Sequence, residues 1–325
     1  MIHRRDLLIA SSCSALLAGC ASTALPARPP TLRRALSLAT GSKGGGFLLY
    51  GQAMASVLGP RTHLDVTAQE SQGTAENITR LLTRQSDAAL LVMGPAFDAW
   101  TGQAQWAGNP VRNLRALFPM YETPFHVAAL ASSDIKSMAQ LAGKRVGVGP
   151  ASGTAEGFFR GLIQVAGVQV QWVNGSPSEH ARQLARGEID AFWFGAGLPV
   201  PAFIEAAQLA PLRIFGLSQA ERDGFIKRFP YFAPYMVPAN TYPGQTAVVP
   251  SVAVWNFAAT TADAPDELAY WLTRLSLEQT AALTVAYPAA AGTSLKNLAS
   301  NTFMPFHTGA LRYFQEQGVK VAAAG

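Results

Sequence analysis

The chain has 325 residues, of which 49% are hydrophobic and 14% are charged, and its formal net charge is +5. This length suits two domains with sizeable cores, and so apolar a composition excludes a mainly disordered chain. No long run of lysine and arginine marks a nucleic-acid-binding surface, and beyond the first twenty residues no uncharged apolar stretch is long enough to cross a membrane.

The first twenty residues are typical of an exported lipoprotein. A mostly apolar run, Leu7 to Leu17, is too short for the roughly 20 residues of a membrane span but fits the core of a secretory signal. It ends in Leu17-Ala18-Gly19-Cys20, the pattern of a bacterial lipobox. We predict a signal peptide over 1–19, lipidation of Cys20, a tether over 20–33 and a location on the periplasmic side of a bacterial membrane. The alternative is a buried N-terminal helix.

Residue types that bind metals or cofactors are sparse in this chain. Both cysteines, Cys13 and Cys20, belong to the predicted leader and lipidation position, which leaves no thiol for a disulfide or a metal. The histidines beyond the leader show no i,i+4 pair or other ligand spacing, so we predict neither a metal site nor a cofactor. These histidines are His63, His126, His180 and His307.

A strand–turn–helix order begins after the tether. Short apolar runs predict strands, a helical period of apolar residues predicts helices, and the glycine-rich stretch Gly41 to Gly46 predicts the first turn. The third predicted strand is continuously apolar, as expected for a strand covered on both faces. The predicted strands are Ala35–Ala39, Leu64–Ala68 and Ala88–Met93, and the predicted helices are Phe47–Leu58 and Ala75–Arg84.

The same order returns in the middle of the chain. Gly149 to Gly153 forms its first turn, and a predicted helix follows at once. Two βαβαβ units of this kind predict two right-handed, mainly parallel sheets with helices on both faces. The predicted strands are Arg145–Val148, Val168–Val173 and Ile189–Gly195, and the predicted helices are Thr154–Val165 and Ser178–Arg186.

Two segments predict connections between the units. Leu114 to Ser132 leads from the first unit to the second, and Val252 to Ala258 has the composition of a return crossing. C-terminal helices within Ala264–Val285 and Thr308–Gln317 would then rejoin the first unit. We predict an α/β protein of two lobes, each a mainly parallel sheet flanked by helices, with a cleft between them. Lobe 1 would comprise residues 34–127 and 256–325, and lobe 2 residues 128–255.

Both units place a loop of small residues before their first helix, and these loops predict the binding site. In open α/β sheets ligands bind outside the carboxyl ends of the strands, so both loops should face the cleft. Free N–H groups at a helix start suit carboxylate or phosphate oxygens, and contact with both lobes would favour the closed form. The alternative for Gly44-Gly45-Gly46 is a tight turn without a ligand.

Polar and aromatic residues near the same strand ends have two interpretations. Ser71, Gln72 and Asn77 follow the second strand and could bind a polar ligand or cap a helix. Tyr121 lies where the first crossing begins, beside the expected cleft. The aromatic residues could form an apolar wall for a ligand or belong to the core. They are Tyr50, Tyr121, Trp193 and Phe194.

Signals of catalysis are weak. No G-x-S-x-G nucleophile motif occurs, and Ser133-Asp134-Ile135-Lys136 matches the S-x-x-K motif of penicillin-recognising enzymes without its S-D-N and K-T-G partners. We therefore predict a binding protein that performs no covalent chemistry, with a serine hydrolase using Ser133 and Lys136 as an alternative.

Several motifs together resemble the TAXI family of solute-binding proteins in tripartite ATP-independent periplasmic (TRAP) transport. The resemblance runs from about residue 34 to residue 318. It implies a type II periplasmic-binding-protein fold, capture of a small organic anion such as a dicarboxylate or an amino acid, and delivery to a sodium-driven membrane permease. We expect a monomer. The motifs are ATGSKGGGF at 39–47, ESQGTAEN at 70–77, GPASGT at 149–154, GAGLPVPA at 195–202 and PFHTGA at 305–310.

Carried over residue by residue, the resemblance implies four groups of ligand-binding positions. This chain departs from the family in the first loop, where Lys43 enters and Gly46-Phe47 stand in place of a hydroxyl residue and a tyrosine. The departure removes a side-chain donor, and the predicted lipid anchor leaves open a ligand sensor for a membrane signalling partner. The implied positions are Gly45, Gly46 and Phe47, then Ser71 and Asn77, then Ser152, Gly153 and Thr154, and finally Gly195 and Pro199.

Overall fold

The computed structural model describes residues 35–62 and 65–321. The predicted signal peptide, the lipidation of Cys20 and the tether lie outside these residues, and they stay predictions. Within the described ranges no helix is both long and apolar enough to cross a bilayer.

The described residues form ten strands and ten α-helices, together with short 3₁₀ turns. The strands are β1 (Ala35–Ala39), β2 (Asp65–Gln69), β3 (Ala88–Val92), β4 (Leu114–Leu130), β5 (Arg145–Gly147), β6 (Gln171–Val173), β7 (Ala191–Gly195), β8 (Leu212–Phe215), β9 (Ala233–Val237) and β10 (Val249–Thr261). The helices are α1 (Gly46–Thr62), α2 (Thr74–Leu82), α3 (Met93–Thr101), α4 (Thr154–Ala166), α5 (Pro177–Ala185), α6 (Pro201–Leu209), α7 (Gln219–Arg228), α8 (Asp266–Glu278), α9 (Thr280–Ala286) and α10 (Thr308–Glu316).

All ten strands belong to one mixed sheet. Its main path runs β2-β1-β3-β10-β4-β7-β5-β6, with β8 beside β4 and β9 beside β10. At one end β1 pairs in parallel with β2 and β3, and at the other end β5 pairs in parallel with β6 and β7. These are the two parallel units that the sequence predicts, and the two-lobed α/β fold is confirmed. The central strand pairs are antiparallel, which the prediction did not include.

Two long strands join the halves of the sheet. The first part of β4 pairs with β10 up to Phe125, and its last part pairs with β7 and β8. In the same way β10 pairs with β9 through Ala253 and with β3 from Asn256 onward. Each strand therefore exchanges partners near its middle, where the chain passes between the halves. The predicted lobe boundaries fall inside these two strands and stay a prediction.

We call lobe 1 the part built from β1–β3, α1–α3 and α8–α10, and lobe 2 the part built from β5–β8 and α4–α7. The strand β3 is buried at every residue, as its unbroken apolar run predicts. Two helices of lobe 2 begin with a capping box, in which a serine and a glutamate satisfy free N–H groups reciprocally. The serines are Ser176 before α5 and Ser218 before α7.

Candidate functional site

A cavity lies between the lobes at the carboxyl ends of the parallel strands. Its volume is about 540 Å³ when the solvent space at its open mouth is included. Loops from both lobes and the middle of β4 line it. The lining residues are Gly41, Ser42, Gly45, Gly46, Phe47, Gln72, Gly73, Val92, Tyr121, Thr123, Phe125, Pro150, Thr154, Ala155, Phe194, Gly195 and Ala196.

The starts of α1 and α4 face this cavity from opposite lobes. The turn before α1 is closed by the Gly45 N–H, which donates to the Ser42 carbonyl at 2.9 Å. The N–H groups of Gly46 and Phe47 have no acceptor among the described residues, since the first turn of a helix lacks partners within the helix. They are therefore available to an oxygen atom in the cavity.

Contacts across the cleft show that the two lobes are closed on each other. The Ser178 N–H of α5 donates to the Lys43 carbonyl at 3.3 Å. On the other side of the cleft the Tyr287 hydroxyl donates to the Gly197 carbonyl at 3.3 Å. The first glycine loop approaches α5 so closely that a Cβ on Gly44, whose φ is +80°, would lie 2.7 Å from the Ser178 nitrogen. A glycine is therefore needed at position 44 both for the turn and for closure.

Two other helix starts at the cleft already have a carboxylate from their own chain. The Gln72 N–H before α2 donates to Glu76 at 2.7 Å, and Glu76 also pairs with Arg80. The Ser152 N–H before α4 donates to Glu156 at 3.0 Å in the same manner. In contrast, α1 has no acidic residue in its first turn. The positive end of the α1 dipole is thus left uncompensated at the cavity, as is that of α3, whose N-cap Val92 lines the wall and whose first turn has no acidic residue.

The walls of the cavity are largely aromatic. The rings of Phe47 and Tyr121 meet edge to face with centroids 6.5 Å apart, and Phe125 and Phe194 cover the side toward lobe 2. A Cβ on Gly195 would lie 2.6 Å from the Phe125 ring, so the glycine makes room for that ring. Within the described residues, no charged side chain lines this cavity.

The Tyr121 hydroxyl is a buried polar atom without a hydrogen bond. Its residue is 3% exposed, and the hydroxyl oxygen has no partner of hydrogen-bond geometry among the described residues. Burial raises the pKa of Tyr121 well above its ordinary value, and the neighbouring Tyr287 hydroxyl raises it further. The hydroxyl is therefore neutral and can donate, and a buried donor left unpaired is costly. Tyr50 differs from Tyr121, because its hydroxyl is paired with Thr293 at 2.7 Å.

The structure brings six of the predicted site residues to the cavity wall. They are Gly45, Gly46, Phe47, Tyr121, Thr154 and Gly195. Ser152 and Gly153 lie beside it, in a neighbouring hollow between the lobes that Tyr231 also lines. Pro199 follows a cis peptide bond in the loop after β7 and is not part of the wall.

Ser71 and Asn77 are corrected to structural residues. The Asn77 amide donates to the carbonyls of Thr40 and Leu90, each at 2.7 Å, and its oxygen accepts from the Ser71 hydroxyl at 2.6 Å. Asn77 is completely buried, and every donor of its side chain is used. These bonds tie the ends of β1 and β3 to α2, so the pair supports the site and does not face it.

We expect Asn77→Ala to lower the free energy of unfolding by about 3 kcal/mol, because it removes three buried side-chain hydrogen bonds, those to Thr40, Leu90 and Ser71. Urea denaturation measures the loss. The exposed Asn109 is the matched control, and Asn109→Ala should change stability by no more than about 0.5 kcal/mol. If Asn77→Ala keeps its stability but loses ligand binding, Asn77 contacts the ligand after all.

The sequence did not single out every wall residue, and the structure decides between the two interpretations of Trp193. Thr123 and Phe125 belong to the wall. Both lie in the predicted crossing close to Tyr121, and this closeness in sequence could have identified them as wall residues. Trp193 belongs to the core, where its indole N–H donates to the Ala155 carbonyl at 3.2 Å. The interpretation of Ser133 as a nucleophile is wrong, because its hydroxyl donates to the Leu130 carbonyl and the Lys136 side chain is exposed.

Solved structures of bacterial proteins share this architecture. One from Bordetella bronchiseptica RB50 is 15% identical, with a TM-score of 0.54, and the match covers 88% of this chain and 99% of that one. The periplasmic aliphatic sulphonate binding protein SsuA from Escherichia coli is 13% identical, with a TM-score of 0.45, and the match covers 89% of this chain and 80% of that one. At such identities the likeness concerns the fold.

The family of the chain is identified over most of its length. The NMT1-like family matches residues 38–318, which includes every strand and helix described here except β1, which begins at Ala35. The chain belongs to the NMT1-like family.

Proposed function

We propose that this protein captures a small organic anion between its lobes and delivers it to the membrane permease of a TRAP-type transporter. One observation carries the proposal: α1, whose first turn holds no carboxylate, begins at the cavity, and Tyr121, whose buried hydroxyl has no partner of hydrogen-bond geometry among the described residues, belongs to the wall beside it. Together they supply hydrogen-bond donors and positive potential, and no charged side chain of the described residues lines the wall. An anion is the solute that such a site favours.

Capture is coupled to closure in this proposal. A solute in the cavity would touch α1 of lobe 1 and α4 of lobe 2 at once, and only the closed form offers both. Binding energy therefore shifts the population toward the closed form. The Lys43–Ser178 and Tyr287–Gly197 hydrogen bonds add to the same form, and a permease can distinguish it from the open one.

The transport class and the anchor rest on the sequence. The order of the five motifs supports a TAXI-like partner for a TRAP permease, and the lipobox pattern supports a lipid anchor at Cys20 on the periplasmic face. The protein acts as a monomer in this proposal. It needs no cofactor, because capture and release involve no covalent step.

Binding and delivery are tested with separate measurements. We expect at least one organic anion to bind with 1:1 stoichiometry in calorimetry and to raise the melting temperature. A ligand at about a hundred times its Kd adds roughly 2.7 kcal/mol to stability. With the permease in proteoliposomes, uptake should require this protein and a sodium gradient but no ATP.

Two results would contradict the proposal. If no organic anion binds, the solute class is wrong. If the ligand binds but its uptake depends on ATP, the TRAP assignment is wrong. The assignment is also wrong if the ligand-bound protein supports no uptake but activates a membrane kinase.

A further inference from the structure

We infer that the solute is a small monocarboxylate with an apolar body, whose carboxylate lies at the start of α1 and accepts a hydrogen bond from the Tyr121 hydroxyl. This inference rests on the proposed function and narrows it. It departs from the dicarboxylates and amino acids that the resemblance to TAXI proteins implies.

The charge available in the cavity suits one negative group. A helix start carries about half an elementary charge, and the starts of four helices meet at the wall, those of α1, α2, α3 and α4. At α2 and α4 the carboxylates of Glu76 and Glu156 offset this potential, which leaves the starts of α1 and α3. Because no charged side chain lines the cavity within the described residues, a second carboxylate would be buried without a counter-charge.

The same reasoning disfavours an amino acid. A ligand ammonium group would need a carboxylate or several carbonyl groups in the wall. Glu76 and Glu179 lie in a separate hollow at the rim of the cleft with Lys43 and Arg80. Glu76 is already paired with Arg80, and Glu179 caps α5. Glu156, at the start of α4, accepts from the Ser152 N–H and pairs with Arg160. None of the three is positioned to meet an ammonium group inside the cavity.

The Tyr121 hydroxyl provides the second, independent indication of where the carboxylate lies. It is buried, unpaired and close to the start of α1, since a Cβ placed on Gly46 would be 3.0 Å from its oxygen. A carboxylate oxygen at this point can accept from Tyr121 and from the free amides of Gly46 and Phe47. The ligand would thereby satisfy donors that have no partner in the protein.

The rest of the wall suits an apolar body. Beyond the start of α1 the cavity is covered mainly by Val92, Phe125, Ala155 and Phe194. Besides Tyr121, the polar side chains in the wall are those of Ser42, Gln72, Thr123 and Thr154. The Thr123 hydroxyl in the same region is already bonded to the Asn256 amide at 2.8 Å. An aliphatic or aromatic group would lose little solvation here and would gain burial.

Three compounds of similar shape test the inference. 4-Methylpentanoate and succinate differ only by an isopropyl group in place of a second carboxylate, and 4-methylpentanamide replaces the first carboxylate by a neutral amide. By calorimetry on the full chain we expect 4-methylpentanoate to bind about tenfold or more tighter than either of the others. Glutamate should bind no better than succinate.

The variant Tyr121→Phe tests the placement of the carboxylate. It should weaken 4-methylpentanoate binding by about tenfold, which is the size expected for one hydrogen bond to a charged group. It should also raise the melting temperature of the ligand-free protein, because it removes an unsatisfied hydroxyl. The matched control Tyr50→Phe loses the bond to Thr293, so it should lower the melting temperature and leave binding unchanged.

The outcomes separate this inference from the function on which it rests. Tighter binding of succinate or glutamate would overturn the ligand class and leave an anion-binding protein. Equal binding of the amide and the acid would overturn the charge argument. Unchanged affinity in a folded Tyr121→Phe would overturn the assigned carboxylate position. If no compound of a wider organic-anion panel binds, the proposed function itself fails.

Discussion

Gly46→Ala should abolish useful ligand binding while leaving the protein folded. Gly46 is the first residue of α1, and a Cβ there would overlap the Tyr287 hydroxyl and lie 3.2 Å from the Ala196 Cβ of the opposite lobe. The methyl group would therefore displace Tyr287 from the Gly197 carbonyl and crowd the contact between the lobes beside the proposed carboxylate position. Overpacking costs about 1–3 kcal/mol, which corresponds to a loss of affinity of up to roughly a hundredfold.

A second glycine-to-alanine change gives the control for this prediction. Gly157 is also in a helix, α4, and a Cβ there has no neighbour within 4 Å. Gly157→Ala should stabilise the protein by roughly 0.5–1 kcal/mol and leave the affinity unchanged. Calorimetry and thermal melting of both variants make the comparison. Normal affinity in Gly46→Ala would show that the start of α1 does not contact the ligand.

Local sequence signals were sufficient to predict most of the parallel framework. The alternation of apolar runs with helical periods predicts β1, α1, β2, α2 and β3 to within a few residues, because each element follows a clear turn. The helix α3 was missed because the apolar run of β3 continues into Met93 without a turn signal. For α7 a signal was present, since Ser218 and Glu221 have the spacing of a capping box.

The candidate site could be predicted only in part. A position after a strand end shows that a residue lies near the cleft, but it does not show whether the residue faces the cavity or the protein interior. Gly45 and Asn77 both follow parallel strands, yet Gly45 faces the cavity and Asn77 bonds to the carbonyls of Thr40 and Leu90. Which of these occurs depends on partners distant in the chain. The surroundings of the Tyr121 hydroxyl likewise could not be predicted, because they come from three parts of the chain that meet only in the folded protein. These parts contain Gly46, Tyr121 and Tyr287.

The loop after β7, which joins the cavity wall at Ala196, is held by a buried polar chain at the junction of the lobes. The Val200 N–H donates to the Tyr242 hydroxyl at 3.0 Å, and that hydroxyl lies 2.8 Å from His126 Nε2. One hydrogen bond therefore joins the Tyr242 hydroxyl and the imidazole. His126 is fully buried among Phe203 and Tyr242, and its Nδ1 has no partner among the described residues. It is a structural residue in the neutral form.

Acid should destabilise the protein through this histidine. Burial lowers the pKa of His126 from 6.5 to about 3, so between these values the unfolded chain binds a proton that the folded chain does not. The contribution of His126 is therefore fully present above pH 6.5 and is lost at about 1.4 kcal/mol per pH unit below it. Between pH 6 and pH 4 the unfolding free energy should fall by about 2.5 kcal/mol from this residue alone.

Urea denaturation at several pH values tests this prediction with two variants. In His126→Gln the fall in unfolding free energy that comes from the histidine should be absent. Tyr242→Phe leaves the imidazole buried, so it should be less stable at every pH and should show the same fall as the wild type. An identical pH dependence in the wild type and His126→Gln would show that the buried imidazole is not the group responsible.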